Sequence, residues 1–313
     1  MDVALVEVPV YGAIVVPVDG SRLAERALAL AIPLAEQHGA ALVLAHAHEP
    51  PLPLMVGGGA PVRDAALDAT QRAEAVLYTE KLAKRVAKLT RVPVRGLFRD
   101  GKVVPALATL VRETHAGLVV MSTHGRGGFQ RFWLGSVADA FVRQATVPVL
   151  LVRGTRPPAK RLAGAAPFVR ALVPVDGSRR AEHAVEAAKG LLGRGPARLT
   201  LLHVVHPMSA LAGQNLKRAP EEEVVATYLE PLARRTATPT LDVRLDVKVE
   251  ANVARVVMDA VEAHDADVIA LAGQGLSGVQ RLLVGSVADK LIRTAPVPVL
   301  VVPTHAEGAT IHG

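Results

Sequence analysis

The sequence predicts an α/β protein of two tandem, doubly wound domains, each with a five-stranded parallel sheet, and three observations carry that expectation. A fifteen-residue phrase occurs twice, over Gly125–Asp139 and Gly275–Asp289, with nine positions identical. The same markers bracket it in the same order in both copies. Val16-Pro17-Val18-Asp19-Gly20-Ser21-Arg22 and Val173-Pro174-Val175-Asp176-Gly177-Ser178-Arg179 lie upstream, and Val147-Pro148-Val149-Leu150 and Val297-Pro298-Val299-Leu300 lie downstream. Half of the residues are apolar but only 3% are aromatic, so the cores must be built from Val, Leu, Ile and Ala, as suits buried parallel strands under Ala-rich helices.

The first markers are 157 residues apart and the other two pairs 150, so the second copy is seven residues shorter between its first and second markers. A repeat this long is a whole domain rather than a solenoid unit. The chain divides into residues 1–155 and 168–313, joined by a linker at 156–167 inside the Pro-, Gly- and Ala-rich stretch Arg153–Pro167.

In the first copy, the apolar run Val15–Val18 ends at Asp-Gly and reads as a strand and turn. Arg22–Gln37 then sets Leu23, Ala27, Leu30, Ala31 and Leu34 at helical spacing. Ala41–Ala47 is the second strand, Pro50–Pro61 a loop, and Ala65–Leu89 a long helix with Leu67, Ala75, Leu82 and Val86 on its apolar side. A third strand at Val92–Phe98, a helix at Val103–Glu113, a fourth strand at Leu118–Met121, a helix at Ser136–Ala145 and a fifth strand at Val147–Val152 complete the unit. The second copy places strands at Ala171–Val175, Leu199–Val205, Leu241–Val249, Val268–Leu271 and Val297–Val302, with its missing residues in the loop and helix after the second strand. Strict alternation of strand and helix requires a parallel sheet covered on both faces.

With no cysteine, disulfides, thiolate nucleophiles and Cys-ligated zinc are excluded together. The N-terminal residues lack the basic start and apolar stretch of a signal peptide and no apolar run approaches membrane-spanning length, so a cytoplasmic protein without a membrane partner is expected. The net charge of +7 is dispersed: Lys and Arg alternate with acids on the expected helices, and few aromatics exist to stack on bases, which argues against specific nucleic-acid binding.

Ligands of open parallel sheets settle beyond the carboxyl ends of the strands, where strand order reverses. Asp19 and Ser122-Thr123-His124-Gly125 end the first and fourth strands, so they converge if those strands are neighbours. Glycines let backbone amides approach an anion, and Gly135-Ser136 opens a helix whose first amides are unpaired, which makes a phosphate cradle. The competing reading is structural, since Ser136 and Asp139 stand at capping-box spacing. Asp19 and Asp176 likewise either tie down a turn or accept hydrogen bonds from a ribose or an adenine amino group. Neither a Walker loop nor a dinucleotide fingerprint is present.

An aspartate closing the first strand, followed by a Gly-x2-Gly-x9-Gly-Ser/Thr segment from the fourth strand into the next helix, resembles the ATP-binding branch of the universal stress protein family. Both halves match: Gly125 with Gly135-Ser136, and Gly275 with Gly285-Ser286, while Ser122 and Ala272 replace the first glycine of the motif. The resemblance implies an adenine nucleotide α-hydrolase-like fold and a tandem member that binds ATP, alone or with Mg²⁺ or Mn²⁺, as a nucleotide-responsive regulator of the stress response. Asp19 and Asp176 would contact adenosine, the backbone at Ala47 and Val204 would bracket adenine, and the glycines and serines would hold ribose and phosphates. Pro17, Val18, Gly128 and Val137, with Pro174, Val175, Gly278 and Val287, complete the two binding sets. It also implies pairing of the two fifth strands inside one chain, a pseudo-twofold dimer with scope for a higher homo-oligomer.

His46 and His48 share a strand face but lack a third metal ligand, and the second copy has Val205 in place of His48. His124 becomes Gln274, so it is no general base common to both halves. No nucleophile or base is assignable. A nucleotide-free scaffold of the same fold and a slow ATP hydrolase remain the alternatives.

Overall fold

The computed structural model describes residues 11–51, 64–123, 134–153, 166–193, 195–207, 220–273 and 286–303. The first half contains β1 (Ala13–Pro17), α1 (Arg22–Glu25), α2 (Leu28–His38), β2 (Ala41–His48), α3 (Ala65–Ala87), β3 (Val94–Asp100), α4 (Val103–Glu113), β4 (Leu118–Ser122), α5 (Ser136–Val142) and β5 (Val149–Val152). The second contains β6 (Arg170–Pro174), α6 (Arg179–Leu191), β7 (Ala197–Val205), α7 (Pro220–Val224), a π-helical turn (Val225–Leu229), α8 (Glu230–Thr236), β8 (Leu241–Val249), α9 (Val253–Ala263), β9 (Val268–Ala272), α10 (Ser286–Thr294) and β10 (Val299–Val302).

All ten strands form one sheet in the order β3-β2-β1-β4-β5-β10-β9-β6-β7-β8. Pairing is parallel within each half, and the halves meet where β5 and β10 run antiparallel, with Leu150 opposite Leu300, Leu151 opposite Val299 and Val149 opposite Val301. Leu150 faces its own repeat equivalent, and Val149 and Leu151 each face the equivalent of the other. Because the junction is antiparallel, the carboxyl ends of the strands lie on opposite edges of the sheet in the two halves.

Alternation along each strand divides the core into two layers. One packs Val16, Leu42, Leu150, Leu172's neighbour Val173 and Leu300 against α2, α3 and α6. The other packs Val15, Val119, Leu151, Ile269 and Val301 against α4, α5, α9 and α10. Both layers run unbroken from one half into the other, so the junction is core rather than surface. Gln37 of α2 adds a polar tie across the halves, its Nε2 donating to the carbonyls of Leu191 and Leu192 at 3.3 and 3.1 Å.

The expected single helix over Arg22–Gln37 is two helices. Around Arg26 and Ala27 the amides bond three residues back, to Leu23 and Ala24, and Ala29 and Leu30 bond to Arg26 and Ala27, so the chain tightens instead of running on as one α-helix. Pro33 adds to the interruption, because it has no N–H for the carbonyl of Ala29. The long helix of the first half is replaced in the second by α7, the π-helical turn and α8, which is where the seven missing residues fall.

Gly96 on β3 shows how closely α3 lies on the sheet. A β-carbon there would stand 2.9 Å from the Thr79 carbonyl oxygen and 3.1 Å from its Cγ2. Gly96→Val is therefore expected to cost about 1–3 kcal/mol through overpacking, read as a lower urea midpoint. An unchanged midpoint would show that the helix yields at no cost.

Candidate functional site

In each half the chain reverses its direction of travel across the sheet between β1 and β4, or between β6 and β9, and these neighbours are hydrogen-bonded. Asp19 and Asp176 therefore stand beside Ser122 and Ala272 at the carboxyl ends, as a crevice at the switch point requires. The two corners are built alike. Gly20 and Gly177 both take φ of +84°, a left-handed conformation that glycine adopts without strain. Asp19 Oδ1 accepts from the Ser21 N–H at 2.9 Å and Asp176 Oδ1 from the Ser178 N–H at 3.0 Å. The serines then cap the following helices, Ser21 Oγ accepting from Ala24 N–H and Ser178 Oγ from Ala181 N–H. Each aspartate thus ties its turn and still has acceptor sites, since a carboxylate offers about four.

The corners are held to the second strands in the same way, Val18 N–H to Ala45 carbonyl at 2.9 Å and Val175 N–H to Leu202 carbonyl at 2.8 Å. On the other side, Thr123 N–H bonds the Val152 carbonyl at 3.0 Å and Gly273 N–H the Val302 carbonyl at 2.7 Å. Ser122 is buried and Ala272 half-buried. Gly135 N–H returns to the Thr123 carbonyl at 2.7 Å, anchoring the start of α5 at the end of β4.

The capping-box reading of Ser136 is corrected by this geometry. Gly135 is the cap and Ser136 the first helical residue, exposed beside half-buried Val137. Asp139 does not reach back to the cap; it takes a two-pronged contact from Arg143 at 3.1 Å through each oxygen pair. Asp289 is held in the same way by Arg293, and Arg293 also approaches Asp139 at 3.8 Å across the two halves. A charge pair one turn downstream outcompetes the strained reach to the helix start. Gly125, Gly128, Gly275, Gly278 and Gly285 lie outside the described residues, and Ser286 opens α10.

The second half holds an open cavity of about 760 Å³. Pro174, Val175, Asp176, Val204, Ala272 and Val287, six of the sequence-derived candidates, line it together. Arg180, His203, His206 and Val253 also line it, and sequence reasoning missed them as site residues. His203 Nδ1 lies 2.9 Å from the Val175 carbonyl, which can only accept, so the ring carries its proton on Nδ1. Burial alone would raise the Asp176 carboxyl, but hydrogen bonds from Ser178 and backbone amides, with the charge of Arg180, outweigh it and hold the group below its ordinary value. Burial pushes the Tyr228 hydroxyl, edge-on to His203 at 6.4 Å, up to about 12, with Glu182 and Asp176 adding to the shift.

In the first half, Pro17 and Ala47 are half-buried at the ends of β1 and β2, and Val18 is buried. His46 and His48 are buried against Phe98, and His48 Nε2 pairs with Asp68 at 2.9 Å, so both rings serve packing. Among the described residues no three His, Asp or Glu side chains converge as metal ligands, and no helix is long and apolar enough to cross a membrane.

Comparisons with known proteins agree with this architecture. The model of the universal stress protein family matches residues 11–153 and again 167–303. A universal stress protein of Thermus aquaticus is 35% identical over 144 residues, which are 46% of this chain and 99% of that relative. One of Mycobacterium tuberculosis is 30% identical over 152 residues, 49% of each, so the match spans about half of that relative's length. The crystal structure of a universal stress protein from Archaeoglobus fulgidus superposes with a TM-score of 0.71, covering 93% of this chain and 98% of its own at 19% identity, a likeness of fold. Two matched segments, one after the other and together spanning most of the chain, place this protein in the universal stress protein family.

Proposed function

We propose that this protein binds adenine nucleotide, ATP foremost, in a crevice of each half, and that the bound nucleotide biases its conformation or choice of partner in the stress response. The observation that carries the reading is the cavity of the second half, where Asp176, the backbone of Val204 and Ala272 meet in a space of about 760 Å³. That volume falls within the range of about 300–1,000 Å³ usual for small-molecule sites. The residues fit such a ligand: an ionised carboxylate accepts from ribose hydroxyls or an amino group, backbone at the end of a strand pairs with an adenine edge, and a helix start supports phosphate. A Mg²⁺ or Mn²⁺ would be carried by the phosphates themselves. Among the described residues no side chain stands as a nucleophile beside a base, and we read the nucleotide as a ligand rather than a substrate.

Equilibrium calorimetry of the intact protein with ATP is expected to show saturable binding below millimolar concentration. The methyl of Ala272 narrows the approach that a glycine would leave open, so weaker binding than a full glycine motif would give is part of the expectation. Absence of heat at millimolar ATP, together with an unchanged melting temperature, would remove the reading in favour of a nucleotide-free scaffold.

A further inference from the structure

We propose that the outer edge of β8 pairs with β8 of a second copy of this chain, antiparallel and centred on Leu245, so that two sheets become one. β8 ends the strand order and pairs with β7 on one side, so among the described residues no strand lies along its other side. The Thr240 carbonyl accepts from the Ala197 N–H, and the Glu250 N–H donates to the Val205 carbonyl. Even-numbered residues of β8 therefore turn their backbone groups toward β7. The register between the strands is unbroken, so Leu241, Val243, Leu245, Val247 and Val249 turn theirs outward. A row of backbone groups without ladder partners is a template for another strand.

The side chains select the occupant. Asp242, Arg244, Asp246 and Lys248 alternate in sign along one face of the strand. With Leu245 at the centre, Asp242 stands opposite Lys248 of the second copy and Arg244 opposite its Asp246, and the twofold axis repeats both pairs. On the other face Val243 meets Val247, and Leu245 meets its own copy. These three are half-buried against the core, and pairing covers surface that they still expose. Moving the centre by one residue sets Asp242 against Asp246 and Arg244 against itself, or Arg244 against Lys248 and Asp246 against itself. Like charges directly opposite destabilise a pair of strands, so the charges fix one register.

Within the chain, Asp242 accepts from Arg198 and Arg244, and Asp246 is paired with Lys248 and His264. Asp242, Arg244 and Lys248 remain exposed, and a carboxylate offers about four acceptor sites, so these contacts leave room for a facing strand. Charged side chains also guard edge strands against aggregation, but a guard needs no order of signs. The order is what points to a second copy. β3, at the opposite edge of the sheet, lacks it: an antiparallel pair centred on Leu97 would set Arg95 against Arg99. The β5–β10 junction already joins two edges of this fold in the proposed manner, with Leu150 opposite its repeat equivalent.

The inference stands apart from the nucleotide reading and is tested without ligand. Sedimentation equilibrium of the full chain is expected to show a reversible dimer. Asp242→Lys and Lys248→Glu, both at exposed positions, each set like charges opposite one another twice, and each alone is expected to weaken self-association about tenfold. Mixing the two variants restores opposite charges at both places and is expected to return the dimer to nearly its original strength. A chain that stays monomeric up to millimolar concentration overturns the proposal. So does a dimer that neither variant weakens, which would lie on another surface, and so does a mixture that associates no better than its separate components.

Discussion

Replacing both Leu150 and Leu300 with alanine is expected to cost about 4–8 kcal/mol, enough to leave little folded protein at moderate temperature. The two leucines face each other at the centre of the β5–β10 junction, both wholly buried in the layer that also packs α2 and α6. Each truncation removes buried methyl groups and leaves a cavity, costing about 2–5 kcal/mol alone. Since the two cavities merge, the double variant should depart from the sum of the singles. The core layer is continuous through this pair, so the halves should unfold in one transition. Denaturant titration of the single and double variants, with exposed Leu89→Ala as control, measures the effect. A double variant no less stable than the control would show that the halves do not meet through these strands.

The sheet was legible in the sequence because its strands are short apolar runs between turn residues, and because the chain states the pattern twice. Their ends were less so, for reasons of hydrogen bonding rather than hydropathy. β5 and β10 begin at Val149 and Val299, after Pro148 and Pro298, which have no N–H for a ladder; apolar Val147 and Val297 look like strand but stay outside. β3 extends to Asp100 because it pairs with β2 as far as His48, well past its apolar residues. The α1–α2 break depends on local i→i+3 bonding that periodicity does not register.

The site was legible where the copies agree. Asp19 and Asp176 were singled out because the strand-one phrase repeats, and their nearness to Ser122 and Ala272 was expected only if the first and fourth strands are neighbours, which the strand order shows. Arg180 and His206, which line the cavity of the second half, were missed for the converse reason: comparison of the copies favours what they share, and at these positions the copies differ. The available signal was Leu23 and Glu49 at the equivalent positions, an apolar side chain and an acid exchanged for an arginine and a histidine. The competing reading of Ser136 as a cap rested on capping-box spacing alone, whereas Arg143, four residues beyond Asp139, is the partner that Asp139 takes.

Removing both corner carboxylates, Asp19→Ala with Asp176→Ala, is expected to weaken ATP binding by about 10- to 100-fold at each crevice. Two effects oppose one another. A hydrogen bond accepted by a carboxylate is worth about 1.5–3 kcal/mol, and its loss weakens binding. Loss of the negative charge relieves repulsion of the phosphates, by about 1 kcal/mol or less at a half-exposed or exposed corner. The hydrogen bond wins, but the margin depends on ligand charge, so adenosine should lose more affinity than ATP. Asparagine separates this role from turn formation, because its Oδ1 can still accept the Ser21 or Ser178 N–H while the anionic acceptor is gone. Calorimetry with both ligands on the alanine and asparagine variants, beside their melting temperatures, decides the matter. If asparagine restores full affinity, or if the alanine variant binds ATP as well as the unaltered chain, the aspartates are turn residues only and the adenosine contact must be sought elsewhere in the crevice.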